Sequence, residues 1–551
     1  MLLWLKQYRR ALLAGDLTAG VVVAMMMIPQ GMAYALVAGL PPVAGLYASI
    51  LPPILYACLG SSMTQSVGPM AIVSLMTAAA LAPLAAAGSA LYGVLAAQLA
   101  LMCGAVLLLC GMLRLGFLAN FLSRPVISGF SNGAALVILL GQLPVLLGAH
   151  LPAWHGPSTV MGGASLLLLW LAKRYLAALL RHLGWAAPVA ETAARLAPML
   201  LVMGATALVA LCGLDRLGVR TTGAVPAGLP SLNLATSSRH WQALLSPALL
   251  ISFIIFLMSM SAAQTLAQKR GEKLLTNREL LGLGAANAAS ALSGGLPVTG
   301  SMSRSAVNFT AGAHTPLATV VSSLLLALAL LAPTGWLALL PLPVLAATII
   351  FAVSGMLDAA TLRQAWRYDR GDALALLASA AGVLALGVQA GVVIGVLLSI
   401  GTLLWRASRP HIAVLGRIAG SEHYRNVERY PGHTLPHILL LRIDAGLFFG
   451  NIDAVAAKVD EEVRQRPACR HLVLVLSAVN QIDSTALFGL IDLNLALRAR
   501  GIDLHLAEVK GPVMDRLQHS QLLGELRGPV YLSTALACAH LSGTAAPVEA
   551  G

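Results

Sequence analysis

A long stretch without charge constrains this sequence most. From Leu17 to Leu113 there is no Lys, Arg, Asp or Glu, which leaves room for about four membrane spans of roughly 20 residues each. Hydrophobic residues make up 58% of the 551 residues, charged residues only 10%, and the mean hydropathy is +0.81. An ordinary soluble domain does not have this composition, so the sequence predicts a polytopic α-helical membrane protein.

The basic residues predict how the spans are oriented. The net charge is +13, and most of the excess falls in short loops, which favours positive-inside orientation over nucleic-acid binding. The first apolar run is too long for a signal peptide, so we expect a retained, cytoplasmic N-terminus. A fourteen-span topology then places these basic residues inside: Arg114, Arg124, Lys173, Arg174, Arg181, Arg195, Lys269, Arg270, Lys273, Arg278, Arg363, Arg367, Arg370, Arg406 and Arg409. We therefore expect a multi-pass protein of the bacterial inner membrane with both termini in the cytoplasm.

The chain changes character after Arg409. The runs "HILLLRID", "HLVLVLSAV" and "IDLHLAEV" have the composition of strands and alternate with helical patterns such as "NIDAVAAKVDEEVRQR". Strands and helices that alternate in this way predict a small cytoplasmic α/β domain. We therefore divide the chain into a transmembrane domain at 1–408, an α/β domain at 409–545 and a C-terminal tail at 546–551.

Two apolar segments of the membrane part are interrupted in the same way. Each begins with an extended segment that contains Gly and Pro, here called its lead, and continues with small residues that enter a helix. The two segments are "SSMTQSVGPMAIVSLM" (61–76) and "GGLPVTGSMSRSAVN" (294–308). One such break in each half predicts a transporter with inverted repeats, in which two half-helices begin in mid-membrane. Their free N–H groups and dipoles favour a bound anion.

Arg304 follows the second interruption and is the only charged residue between Glu279 and Asp358. A cation inside a membrane protein is costly and should face protein or a water-filled cavity, so we expect Arg304 to contact the anion. Ser301, Ser303 and Ser305 are candidate hydroxyl donors beside it. The alternatives are that Arg304 binds backbone carbonyls structurally and that the serines only pack helices together.

These motifs resemble the sulfate permease (SulP) family of anion transporters, which carries a C-terminal STAS domain. The resemblance runs through "GDLTAGVVVAMMMIPQGMAYALVAGLPPVAGLYASILPP", "SVGPMAIVSLM", "SMSRSAVN" and "QIDSTALFGL". It implies fourteen spans in two inverted repeats of seven, divided into core and gate domains, and a homodimer. It also implies that the anion lies between the half-helix N-termini of spans three and ten.

The resemblance carries over to individual substrate-binding residues. The family's first-span glutamine falls on Gln30, with its aromatic position at Tyr34, one helical turn further. Met70 follows Gly-Pro on span three, and Ser303 and Arg304 match the pair that flanks the anion on span ten. For Gln30 and Tyr34 the alternative is an interhelical hydrogen bond in the core.

One position departs from the family pattern. Many relatives have a glutamate on the eighth span, where this sequence has Met258, and no acidic residue occurs between Arg239 and Lys269. Proton or sodium symport through an acidic side chain on this span is therefore disfavoured, and exchange or uncoupled transport is favoured instead. His314 or Asp16 could still titrate, although we interpret His314 as a polar residue at a half-helix end and Asp16 as an N-cap at the membrane boundary.

In the STAS domain, "DST" at 483–485 matches the site at which soluble anti-sigma-factor antagonists are phosphorylated. Ser484 is therefore a candidate regulatory residue at a predicted helix start, where a phosphate is favoured. An ordinary helix cap is the alternative interpretation.

The predicted function is secondary active or uncoupled transport of a small anion by alternating access. Sulfate is the family default, with bicarbonate, chloride and dicarboxylates as alternatives. No Walker A motif occurs, "GLGAAN" is a membrane-helix glycine pattern, and six scattered cysteines lack metal-ligand spacing. We expect no enzymatic activity, cofactor, metal or nucleic acid, and as partners the anion, membrane lipids, a second copy and a cytoplasmic protein at the STAS domain. An anion-responsive sensor signalling through that domain is the alternative, and a nucleobase permease is disfavoured by Arg304.

Overall fold

The computed structural model describes residues 4, 8–117, 124–148, 155–232, 236–237, 239–332 and 334–543. The predicted tail at 546–551 lies outside these residues. The chain divides into two compact units, residues 1–399 and 400–551. The predicted boundary between residues 408 and 409 falls just after the helix that contains the division between the units.

The first unit is helical. Eight of the described helical stretches are long and apolar enough to cross a membrane, as the charge-free composition predicts. The fourteen-span topology and the inverted repeats stay predictions. In chain order the helices are α1 (Leu13–Val37), α2 (Pro42–Tyr47), α3 (Leu51–Leu59), α4 (Ala71–Leu81), α5 (Ala90–Met112), α6 (Arg124–Leu147), α7 (Gly156–Leu171), α8 (Ala177–His182), α9 (Ala187–Arg195), α10 (Ala197–Cys212), α11 (Trp241–Arg270), α12 (Thr276–Leu292), α13 (Met302–Thr310), α14 (Leu317–Leu331), α15 (Gly335–Ala338), α16 (Leu342–Ser354), α17 (Ala359–Tyr368), α18 (Arg370–Leu386) and α19 (Val388–Ala407).

Glycines let two of these helices approach to backbone distance. A Cβ on Gly104 of α5 would lie 2.8 Å from the backbone nitrogen of Ala288 and 2.9 Å from the carbonyl oxygen of Gly284, both on α12. Small residues at such crossings are typical of helices packed inside membranes. The "GLGAAN" pattern is therefore a helix-packing feature, as predicted.

The two interrupted segments each contain a short strand and a short helix. Strand β1 (Val67–Gly68) precedes α4, and strand β2 (Thr299–Gly300) precedes α13. Glycine and proline keep each lead extended, and the helix begins where small residues resume. The predicted pair of half-helices is present.

The second unit is an α/β domain, which confirms the predicted architecture. Its five-stranded sheet has the order β4-β3-β5-β6-β7, with β5, β6 and β7 parallel and β3 antiparallel to both neighbours. The predicted strands and helices appear in the expected order. The elements are β3 (Ile412–Arg417), β4 (Tyr424–Asn426), β5 (Ile438–Ile443), α20 (Ile452–Arg464), β6 (His471–Val475), α21 (Ser484–Ala499), β7 (Asp503–Ala507), α22 (Gly511–Leu517), α23 (Leu522–Glu525) and α24 (Thr534–Leu541).

Candidate anion-binding site

The two half-helices begin side by side because their leads form a two-stranded antiparallel sheet. Val67 pairs with Gly300, and Gly68 pairs with Thr299. The residues that precede the helices, Met70 and Ser301, are extended, and neither side chain caps the helix it precedes. First-turn N–H groups of two helices are thus brought together inside the membrane unit, where they and the helix dipoles favour negative charge.

Arg304 lies where β1 pairs with β2 and the two half-helices begin, a place called the half-helix crossing below. It is only 2% exposed, and its Nη1 donates a hydrogen bond of 2.8 Å to the carbonyl oxygen of Pro69, in the lead of the other half-helix. Among the described residues, its Nε and Nη2 have no hydrogen-bond acceptor. A buried guanidinium with unused donors is costly unless an anion or water accepts from them, so the arrangement is suited to an anion.

Gly68 leaves room for the guanidinium. A Cβ at this position would lie 3.2 Å from Nη2 of Arg304 and 3.1 Å from Cε of Met27 on α1. A side chain there would crowd the cation. An added methyl group would fit only if the end of Met27 or of Arg304 shifted by a few tenths of an ångström, so Gly68 marks a close approach across the two half-helices.

Two further predicted residues, Gln30 and Tyr34, lie on α1, which packs against α4 and α13. Tyr34 is 7% exposed and packs in one apolar cluster with Ala71 at the start of α4. Gln30 has a buried Oε1 without a hydrogen-bond donor in the described part of the chain. The alternative interpretation of Gln30, an interhelical hydrogen bond in the core, is therefore not seen at this oxygen.

The serines around Arg304 differ in their surroundings. Ser301 is buried and its Oγ lies 3.2 Å from Oγ of Ser303, which is exposed. Ser305 is fully buried, and its Oγ accepts a hydrogen bond of 2.9 Å from the backbone nitrogen of Ser66. Ser305 thus binds the extended segment before α4, whereas a role of Ser301 and Ser303 in anion binding stays a prediction.

Several buried polar residues near the crossing are missed by sequence reasoning. Asn308 donates from Nδ2 to the carbonyl oxygen of Thr64 at 2.9 Å, and Gln65 donates from Nε2 to that of Ser259 at 3.0 Å. Ser74 of α4 is fully buried, and its Oγ has no partner among the described residues. The polar run "SSMTQS" contains Thr64 and Gln65 and could have indicated them, whereas Ser74 and Asn308 lie outside it.

The position that departs from the family pattern, Met258, lies in an apolar environment. It is partly buried beside Phe130 of α6 and Val392 of α19. A methionine fits this apolar crevice between three helices, which an ionised carboxylate would not.

Asp16 is not an N-cap of its own helix, so that interpretation is wrong. It is fully buried in the first turn of α1 and accepts hydrogen bonds from the backbone nitrogens of His314 and Thr315, at 2.7 and 3.0 Å, and from Oγ1 of Thr315 at 2.6 Å. Asp16 therefore ties α1 to the segment that precedes α14, across almost 300 positions of sequence.

In the second unit, Ser484 is the exposed first residue of α21. The side chain of Asp483 caps the helix by accepting from the backbone nitrogen of Ala486 at 2.8 Å. Ser484 also lines a depression of about 300 Å³ together with Arg516 of α22. The hydroxyl is accessible, and the cap is supplied by Asp483 rather than by Ser484.

Comparisons with known proteins agree with this architecture. The model of the sulfate permease family matches residues 13–379, and that of the STAS domain matches residues 424–537. A probable sulfate transporter of Mycobacterium tuberculosis (strain CDC 1551 / Oshkosh) is 38% identical over 530 residues, which cover 95% of this chain and 94% of the relative. The chloroplastic sulfate transporter 4.1 of Arabidopsis thaliana is 34% identical, over 91% of this chain and 76% of the relative.

Solved structures share the fold. The murine solute carrier 26 family member A9, an anion transporter in the inward-facing state, has a TM-score of 0.84 at 22% identity and covers 95% of this chain and 90% of its own. The transmembrane domain of a cyanobacterial bicarbonate transporter has a TM-score of 0.59 at 21% identity, over 70% of this chain and 98% of its own. With the paired half-helices and the α/β domain, these matches show that the chain belongs to the sulfate permease family of membrane anion transporters and carries a C-terminal STAS domain.

Proposed function

We propose that this protein is a secondary transporter that carries a small anion across the bacterial inner membrane by alternating access. The observation that carries the proposal is Arg304, which is buried at the crossing of the half-helices with Nε and Nη2 free of acceptors among the described residues. In a membrane interior such donors stabilise an anion strongly, because water does not compete for them.

The proposed anion lies between the first turns of α4 and α13. Arg304 supplies the full positive charge, and the first-turn N–H groups of both helices supply partial charge. Ser301 and Ser303 provide hydroxyl donors. The buried side chains of Tyr34 and Met70 restrict water at the site, which strengthens each of these interactions.

The Oε1 of Gln30, which has no donor among the described residues, cannot donate to an anion, since a carbonyl oxygen only accepts. We propose that Gln30 contacts the anion through its amide Nε2 instead. An amide donor adds a directional contact without a second full charge, which suits oxyanions with several acceptor oxygens.

Sulfate is the first candidate substrate, since the Mycobacterium tuberculosis and Arabidopsis thaliana relatives are both named sulfate transporters. Bicarbonate, chloride and dicarboxylates are the other candidates, and one solved neighbour is named a bicarbonate transporter. All of these are small anions that the donor set at Arg304 suits. We also propose that the protein assembles as a homodimer. Both termini are proposed to lie in the cytoplasm, an orientation that the basic loops favour.

The decisive experiment is uptake of labelled sulfate into proteoliposomes, with unlabelled bicarbonate, chloride and succinate as competitors. We expect saturable uptake that at least one member of the panel inhibits at low concentration. Liposomes that contain Arg304→Ala at equal protein density are the control. Sulfate uptake that does not saturate, or that equals uptake by protein-free liposomes, would contradict sulfate transport.

An anion-responsive sensor that signals through the STAS domain is the second candidate, favoured by the depression beside Ser484 and Arg516. Chains ending at residue 408 distinguish the two functions, because the STAS domain contributes none of the residues at the half-helix crossing. For a transporter we expect anion binding and flux to persist without the STAS domain, with altered regulation or dimer stability. Complete loss of anion binding by a folded, monodisperse truncated protein would argue against this division.

For Ser484 we propose regulation by phosphorylation. A phosphate on this exposed hydroxyl would lie at the N-terminus of α21, in the same depression as the guanidinium of Arg516, and would be stabilised by both. Mass spectrometry of protein from native membranes, followed by flux assays of Ser484→Ala and Ser484→Glu, tests this. Identical flux from both variants and the unmodified protein would exclude a regulatory role.

A further inference from the structure

The helical stretch from Gly156 to His182 is the least buried of the eight found among the described residues that are long and apolar enough to cross a membrane. Only 11% of its apolar part is buried inside the protein, whereas the share in the other seven ranges from 22% to 56%. Val160, Leu167 and Leu168 are each more than half exposed along it. This apolar face of α7 therefore lies against lipid or against another copy of the chain.

Three cations stand at the far end of this stretch. A π-helical turn at Ala172–Leu176 carries Lys173 and Arg174, and Arg181 follows in α8; all three side chains are exposed. Lys173 lies roughly 26 Å from Gly156 along the helix axis. The hydrocarbon core of a bilayer is about 30 Å thick, so a helix that enters the core near Gly156 brings these cations to the phosphate groups of the opposite leaflet.

Aromatic rings accompany these cations. The ammonium nitrogen of Lys173 lies 5.4 Å from the ring centre of Phe351 on α16, and the guanidinium carbon of Arg174 lies 5.6 Å from that of Tyr175. The Nε of Arg174 also donates a hydrogen bond of 3.1 Å to the Tyr175 hydroxyl. Two further rings in the same part of the chain are about half exposed, those of Trp170 and Trp185. Trp and Tyr are typical of the layer in which a membrane protein meets lipid headgroups.

No described carboxylate neutralises the three cations. None of them forms an ion pair in the described part of the chain, and Glu191 on α9, which packs against the π-helical turn, is not paired with them. The Nε of Arg181 donates to a backbone carbonyl oxygen of its own helix at 3.2 Å. Arg270, at the end of α11, differs from them because it pairs with Glu272 and donates to two backbone carbonyl oxygens. The three cations thus keep donors for a group from outside the chain.

We propose that Lys173, Arg174 and Arg181 bind the headgroup phosphate of an anionic phospholipid whose acyl chains lie along the exposed face of α7. Cations without an acidic partner stand at headgroup depth, and an apolar face continues from them into the membrane. A molecule that satisfies both is negatively charged at one end and apolar along its length, as phosphatidylglycerol is. A phosphate accepts from ammonium and guanidinium groups together, and each basic residue near an anionic surface contributes roughly fivefold in affinity.

Charge favours lipid over a second copy at this face. Two copies that share one orientation in a membrane are related by a twofold axis along the membrane normal, so each residue meets its counterpart at the same depth. An interface centred on this face would bring the three cations of one copy toward the three of the other. Like charges in a layer of low dielectric repel strongly, whereas an anionic headgroup neutralises them.

The test identifies the lipids that the full chain retains. Protein in micelles with equal amounts of phosphatidylglycerol and phosphatidylcholine is analysed by native mass spectrometry. We expect the retained lipid to favour phosphatidylglycerol about tenfold or more, and this preference to fall as salt rises, because salt screens the attraction. A variant that combines Lys173→Gln, Arg174→Gln and Arg181→Gln should retain the two lipids about equally. The control removes three exposed arginines of the STAS domain and should keep the original preference; its changes are Arg425→Gln, Arg429→Gln and Arg470→Gln.

Further measurements separate lipid from the other occupants. Inorganic phosphate lacks acyl chains and should not displace the retained lipid; displacement would assign the cations to a soluble phosphate and overturn the proposal. The same preference for phosphatidylglycerol in the triple variant and in the control would refute it as well. A triple variant that keeps this preference but no longer forms dimers would assign the face to a second copy. If the triple variant is not monodisperse, Arg174→Gln alone replaces it, with an expected loss of about fivefold in the preference.

Discussion

Arg304 donates a hydrogen bond of 2.8 Å from Nη1 to the carbonyl oxygen of Pro69, 235 positions earlier in the chain. The cation of one half-helix is thereby fixed to the lead of the other, two residues before α4 begins. The hydrogen bond uses one nitrogen of the guanidinium and keeps the charge beside both helix starts. The structural and the anion-binding interpretations of Arg304 are therefore compatible, because Nη1 serves the fold, whereas Nε and Nη2 have no acceptor among the described residues.

Replacing Arg304 by Ala should weaken binding of every anion. The change removes a charge-assisted hydrogen bond to a buried anion, which corresponds to about 1.5–3 kcal/mol, or roughly ten- to a hundredfold in affinity. Affinity is measured in detergent and in liposomes, on protein shown to be folded. Arg304→Lys, which retains the charge, should recover part of the loss. Unchanged affinity in Arg304→Ala would leave only the structural role.

Gly68→Ala should disturb the same site more mildly. The added methyl would lie 3.2 Å from Nη2 of Arg304 and must displace either the guanidinium or Met27. Overpacking of this kind costs about 1–3 kcal/mol, so we expect anion affinity to fall several-fold, with a smaller loss than in Arg304→Ala. Gly93→Ala on α5 is the matched control, since among the described residues no atom beyond the local backbone of its own helix lies within 4 Å of its Cβ position. Equal affinities in the two alanine variants would show that Gly68 does not position the cation.

Local patterns made much of this fold predictable. The half-helices follow from Gly and Pro beside polar leads, and the strands of the STAS domain follow from short apolar runs, because both signals lie within a few residues. The pairing of β1 with β2 and the contact from Arg304 to Pro69 join distant segments, and no local pattern encodes them. Asp16 and Glu279 stand at helix starts, where acidic residues are commonly exposed, and only tertiary packing shows that they are buried.

The STAS domain should lose stability in mild acid. His505 is 4% exposed on β7 beside His471, and burial, followed by the charge of His471, lowers the pKa of His505 from 6.5 to about 4. The unfolded chain takes up a proton near pH 6.5, whereas the folded domain does so only near pH 4, so stability present at neutral pH is lost as pH falls between these values. From about pH 7.5 to about pH 5 the free energy of unfolding should fall by about 2 kcal/mol from this group.

Urea unfolding of the isolated domain, residues 409–545, checks this effect at the two pH values. His505→Asn removes the titrating ring and should flatten the pH dependence, whatever it does to stability at neutral pH. His519→Asn, on a residue between α22 and α23, serves as control and should leave the slope unchanged. An acid-induced loss of equal size in His505→Asn would assign the effect to other groups, such as the ion-paired carboxyl of Asp444, whose pKa is lowered chiefly by its hydrogen bonds from Arg442.

The last prediction concerns what drives accumulation of the anion. Coupling to a proton or sodium gradient requires a group that binds the ion in linkage with substrate and releases it on the other side. Met258, at the position where many relatives have a glutamate, cannot titrate and lies in an apolar crevice. We therefore expect uptake in proteoliposomes to follow a counter-anion gradient or the membrane potential, with little response to an inward proton or sodium gradient at clamped potential. Met258→Glu should introduce pH dependence if the new carboxyl reaches the transport cavity, and Met258→Gln is its uncharged control. Accumulation of several-fold by the unmodified protein, with only the outside acidified and no counter-anion inside, would show proton coupling through another group and overturn the prediction.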